Sequence, residues 1–146
     1  MKIAICCDHG ALALKNAVIA HLEKQGHQVV NFGTDTLASC DYPDFVGPAA
    51  KAVASGECEK GIALCTTGIG VSIAANKVLG IRCALLSDKM SARLTREHND
   101  TNMMAMGAGV VGEMLALELV DTWLGTEFSH NERHQRRINK VMALEE

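Results

Sequence analysis

The chain has 146 residues, of which 48% are hydrophobic and 21% charged, with a net charge of −3 and only 3% aromatic residues. That length suits one domain over 1–146 that buries a core without covalent staples. The acidic balance and the scarcity of aromatics argue against a nucleic-acid partner, and no apolar run approaches membrane-spanning length, so no membrane role is expected.

The first residues enter a strand-like run directly, without a secretory pattern, and a cytoplasmic protein is expected. "KIAICCD" (2–8) reads as a buried parallel strand. An amphipathic helix follows, with Leu12, Leu14, Val18, Ile19 and Leu22 on one side and Gly26 as its stop. "HQVVNFG" (27–33) is a second strand, and "CDYPDF" (40–45) leads into a helix near 44–55. "KGIALCT" (60–66) is a third strand, and a helix starts near Gly70. "RCALLSD" (82–88) precedes a helix over 89–97, "NMMAMGA" (102–108) is a fifth strand, and helices follow over 112–125 and 131–146. Strands alternating with helices predict an α/β fold: a parallel sheet with helices on both faces.

Ligands in such sheets bind beyond the carboxyl ends of the strands. This singles out Asp8 and His9, the loop Cys65–Gly70, Ser87 and Asp88, and the segment around His98. In "CTTGIGVS" (65–72) a strand turns through glycines into a helix, which presents N–H groups at a positive dipole end. The turn suits a phosphate or a developing oxyanion, and equally a tight turn that needs glycine. No Walker-type signature is present, and no Arg follows Cys65 within six residues as a thiol phosphatase requires. "GAGVVG" (107–112) mimics a dinucleotide fingerprint but lies in the last strand–helix unit, where no later strand brings a ribose-binding acid.

Six cysteines are scattered without C-x-x-C pairs, and no His, Cys and carboxylate cluster has metal-ligand spacing, so neither a disulfide framework nor a metal or cofactor is expected. Cys6 and Cys83 sit within apolar runs as packing residues. Cys65 instead ends a strand beside a helix N-terminus, where a thiolate can act as nucleophile or as general base. Asp8 is an N-cap or a sugar ligand, and His98 and Asn99 lie in a polar turn. Arg133 and Arg137 share a helix face as an anion clamp or a solvated basic stripe, while Arg136 points elsewhere.

Together "CDHG", "DYPDF", "GIALCTTGIGVSIAANK", "GIRCAL", "REHNDTNMMAMG", "VVG" and "RHQRRI" resemble, in this order and over roughly 2–142, the ribose-5-phosphate isomerase type B / galactose-6-phosphate isomerase family. The resemblance implies a Rossmann-like three-layer sandwich with a five-stranded sheet. It implies homodimers, in some members tetramers, with active sites at the interface. It also implies aldose–ketose isomerisation of a phosphosugar through a cis-enediol without metal or cofactor. On that resemblance Cys65 is the base, supported by Thr67, and the loop of Thr66, Gly68, Ile69 and Gly70 binds substrate, with the N–H groups of 68–70 on the enediolate oxygen. His98 opens the sugar ring. Asp8 and Asn99 contact hydroxyls, His9, Arg133 and Arg137 hold the phosphate, and Tyr42 lies near the pocket. Cys65 favours the pentose branch, because the galactose-6-phosphate branch generally lacks it. One position departs from the family: Gly109 stands where an Arg at the phosphate end is usual, which leaves the identity of the sugar open.

Overall fold

The computed structural model describes residues 1–145. Five parallel strands, β1 Lys2–Cys7, β2 Gln28–Asn31, β3 Lys60–Cys65, β4 Cys83–Leu85 and β5 Met103–Gly107, form one sheet in the order β2-β1-β3-β5-β4. Six helices accompany it: α1 Leu12–Lys24, α2 Pro43–Ala54, α3 Ile69–Asn76, α4 Lys89–Asn99, α5 Glu113–Gly125 and α6 Glu132–Met142.

Strand alternation sorts the core into two unlike halves. Ile3, Ile5, Ile62, Leu64, Met104 and Met106 face one side, where they pack with Leu14, Val18, Leu22, Ala92, Leu119 and Trp123 from α1, α4 and α5. Ala4, Cys6, Ala63, Cys65 and Ala105 face the other, against Ala49, Ala50, Val53, Val71 and Ala75 of α2 and α3. Small strand residues let the short, alanine-rich helices approach the sheet closely, which completes the expected three layers. Cys65 points into this tighter half.

The observed boundaries follow local chemistry. Gly26, with φ of 88°, ends α1 as expected, and its N–H bonds the Glu23 carbonyl at 3.0 Å. Gly68, with φ of 78°, is the N-cap of α3, so that helix begins at Ile69, one residue before Gly70. Strand β4 covers only Cys83–Leu85 rather than 82–88, and a last bond from the Leu86 N–H to the Ala105 carbonyl at 2.9 Å closes its pairing with β5. The last helix ends at Met142 and a 3-10 turn follows over Ala143–Glu145, so the expected helix over 131–146 is shorter, and Glu146 lies outside the described residues.

Candidate active site

Chain direction in the sheet reverses between β1 and β3: β2 lies to one side of β1, and β3 to the other. A crevice therefore opens at the carboxyl ends of these two strands. Asp8 and His9 follow β1 at this point, and the loop Cys65–Gly70 follows β3. Asp8 receives the Gly10 N–H on its carboxylate at 2.9 Å, so it does cap the short turn after β1.

Cys65 is nearly buried, with 5% of its surface exposed. The Gly68 N–H donates to its sulfur at 3.0 Å, a bond that a thiolate accepts better than a thiol. Other thiols lack this partner. Burial pushes Cys7 up to about 11 and Cys83 up to about 12, and it raises Cys6 as well, so these stay protonated at neutral pH. Cys6 packs fully inside as expected, whereas Cys83 is only half-buried at the edge.

The rest of the loop is organised around that sulfur. Ile69 N–H bonds the Thr67 hydroxyl at 3.2 Å, and Ser72 donates to the Ile69 carbonyl at 2.7 Å. Of the N–H groups of residues 68 to 70, only that of Gly70 has no protein acceptor among the described residues. Tyr42 covers the first turn of α3: a Cβ on Gly70 would lie 2.7 Å from its ring. Thr66 and Thr67 are exposed beside the crevice. The Gly109 N–H bonds the Thr66 carbonyl at 2.9 Å, so the position that departs from the family pattern touches this loop directly.

His98 and Asn99 lie elsewhere. Their segment was expected with the strand carboxyl ends, and the structure corrects this. Helix α4 starts at Asp88, just past β4, and runs back along the sheet. Its last turn therefore sits at the amino ends of the strands, where Arg82, immediately before β4, donates to the Asn99 carbonyl at 2.9 Å. The six residues of β3 separate the two edges by roughly 20 Å, farther than one pentose phosphate reaches. Ser87 and Asp88 do follow a strand, but Asp88 is spent as the N-cap of α4, accepting the Ser91 N–H at 2.7 Å.

The second edge carries a cavity of about 770 Å³ lined by His98, Asn99, Arg82, Arg133, His134 and Arg137, among others. Arg133 and Arg137 are exposed on one face of α6, and among the described residues neither pairs with a carboxylate. Arg136 points away from that face, as expected, and pairs with Glu132 at 3.0 Å. His134 went unnoticed in the sequence. It is buried, its ring lies 4.4 Å from that of His98, and Ser129 bonds its Nδ1 at 2.7 Å. Burial, His98 and the two arginines hold its imidazole below the ordinary histidine range, so it is neutral at pH 7. Spacing could have flagged it, because His134 and Ile138 are four apart and form the inward face of α6.

The residues expected at the site thus fall into two separate clusters. Cys65, Thr66, Thr67, Gly68, Ile69, Gly70, Asp8, His9 and Tyr42 gather at one edge of the sheet, and His98, Asn99, Arg133 and Arg137 at the other.

Comparison with known proteins shows the family. A family model described as ribose/galactose isomerase matches residues 3–141. Ribose-5-phosphate isomerase B of Escherichia coli is 46% identical, over 99% of this chain and 97% of that protein. The solved Clostridium thermocellum ribose-5-phosphate isomerase B is 51% identical, with a TM-score of 0.97 and coverage of 99% and 97%. A Mycoplasma genitalium ribose-5-phosphate isomerase B, solved with bound ribulose-5-phosphate, is 36% identical, with a TM-score of 0.94 and coverage of 99% and 95%. This chain belongs to the ribose/galactose isomerase family and, with it, to the aldose–ketose isomerases that act on phosphosugars.

Proposed function

We propose that the protein interconverts ribose 5-phosphate and ribulose 5-phosphate in a composite site formed by two copies of the chain. The observation that carries this reading is the nearly buried Cys65 sulfur at the sheet's switch point, held by the Gly68 N–H at 3.0 Å and close to the unpaired Gly70 N–H. Isomerisation needs one base that reaches both carbons, donors for an oxyanion, and an anchor for the phosphate.

The proton moves in two steps. The Cys65 thiolate takes it from C2 of the open-chain aldose, and the electron pair shifts onto the C1 oxygen as a cis-enediolate. The free Gly70 N–H stabilises that charge. The same sulfur returns the proton to C1 while the C2 hydroxyl proton passes to the C1 oxygen, which leaves a ketone at C2 and a hydroxyl at C1. Thr67 holds the loop that presents the sulfur, and Thr66 and Ile69 line the crevice. His98 shuttles the proton that opens the furanose ring, with neutral His134 packed behind it. Asp8 and Asn99 orient hydroxyls, and Tyr42 closes the side over Gly70. Arg133 and Arg137, with His9, bind the phosphate as unpaired cations suited to bidentate contact. The route calls on no metal or cofactor.

His98, Asn99 and both arginines reach Cys65 only from a second copy. Ile69 and Ile73, 51% and 57% exposed, share the outer face of α3, and Leu85 of the edge strand reaches over Gly68. This apolar surface beside the loop supports a homodimer whose faces complete both sites.

A second reading keeps the chemistry and changes the sugar, to a tetrose phosphate or to allose or galactose 6-phosphate. Gly109 favours it, since it leaves no side chain where the phosphate end adjoins Thr66. Rates across phosphorylated tetroses, pentoses and hexoses, with and without chelator, decide. The fastest turnover is expected on ribose 5-phosphate, indifferent to chelator. A faster hexose or tetrose would move the substrate. Tight binding without exchange of the proton beside the carbonyl would mean a binding protein without catalysis and would overturn the proposal.

A further inference from the structure

Lys15 is a charged side chain with no exposed surface, and the chemistry above does not use it. It sits on the inner face of α1. All three ammonium hydrogens are spent on one short segment that begins at the end of β2: the Asn31 side chain at 2.9 Å, the Thr34 carbonyl, and the Asp35 carboxylate at 2.7 Å. Asp35 is itself exposed, and hydrogen bonds from Lys15 and Asn31 hold its carboxyl below the usual carboxylate range, so it is ionised at neutral pH. A buried ammonium with every donor satisfied cannot contact substrate, and its loss of hydration is offset only by fixed acceptors.

The anchored segment is the root of a longer loop. Gly33 and Thr34 are tied to β1 through Cys7, by bonds of 2.6 and 2.8 Å. Thr36, Leu37, Ala38 and Ser39 are all exposed. The next inward contact is Cys40, whose N–H bonds His9 Nδ1 at 3.3 Å and whose sulfur lies 3.7 Å from the same nitrogen. Tyr42, against Gly70, comes two residues later. Asp35 is thus the last fixed point before an exposed span that ends on two residues of the Cys65 half-site.

We propose that Lys15 is a positioning residue that sets the loop from Asp35 to Tyr42, and so places His9 and Tyr42 for substrate. The inference rests on the isomerase reading for its kinetic consequence alone, because the anchoring itself is a matter of loop order.

Lys15→Met keeps the buried chain and removes the charge. Two readouts separate anchoring from general loosening. Alkylation by iodoacetamide, mapped by peptide, should rise roughly three- to tenfold at Cys40 and stay unchanged at Cys6 and Cys58, which are buried in the core. KM for ribose 5-phosphate should rise roughly three- to tenfold while kcat stays within about threefold, since β3 and its loop are untouched. A variant that was merely less folded would lose apparent kcat and label Cys6 and Cys58 as well. In that case Asp35→Asn, made at an exposed carboxylate, decides by the same two criteria. Wild-type labelling at Cys40, or selective Cys40 labelling with an unchanged KM, overturns the proposal. A wild-type chain inactive on every sugar phosphate defeats the isomerase reading, while selective Cys40 labelling would still uphold the anchor.

Discussion

Cys65 and Arg137 are assigned opposite kinds of work, and single substitutions separate them. As the proposed base, Cys65 would act only as the proton leaves carbon, so Cys65→Ala should lower kcat about 10²–10⁴-fold with KM little changed. Arg137, as the proposed phosphate ligand, would grip a group that does not react. Its removal forfeits a charge-assisted contact of about 1.5–3 kcal/mol, and KM should rise about 10- to 100-fold with kcat largely kept. Steady-state kinetics on both variants check this, and equal effects on kcat would refute the division. Cys65 was legible because a thiol at a strand end before two glycines stands out in the chain itself. The contact of Gly68 N–H with its sulfur was not, since it depends on the left-handed turn that Gly68 adopts. Lys15 and His134 were invisible for a related reason. Their partners come from residues 31–35 and from His98, and such distant pairing is a product of packing.

Periodicity located every strand and helix, but termini needed the backbone's own accounting of donors. Helix α4 begins where Asp88 accepts the Ser91 N–H, and that bond holds the Asp88 carboxyl below the usual carboxylate range. A depressed carboxyl contributes stability that is fully present above its unfolded value, about 3.9, and is lost as pH falls through the folded value. Asp88→Asn keeps an acceptor at the cap and removes the titration. Urea midpoints measured at several pH values below 5 should therefore fall less steeply for Asp88→Asn than for the wild type. Parallel acid limbs would refute the role of this cap. Sheet order was not legible at this scale. The order β2-β1-β3-β5-β4 places β5 between its predecessors, and no local pattern in "NMMAMGA" records that neighbour choice. The direction of α4 carried the larger consequence, because it moved His98 to the far edge.

For the molecule as a whole, the proposed site divides between opposite edges of one sheet, and on that proposal the isolated chain is incomplete. Buried strands and alternating helices made the α/β architecture readable from sequence. The separation of the half-sites follows from three-dimensional chain direction and became visible only in the fold. The measurement that tests the composite site most directly mixes two inactive variants, Cys65→Ala and His98→Ala, after dissociation and reassembly. Each mixed dimer holds one site with both residues intact and one site lacking both, so a random equal mixture should regain roughly one quarter of wild-type activity. Persistent inactivity of the mixture, with mixed dimers confirmed by mass spectrometry, would contradict a site shared between two copies.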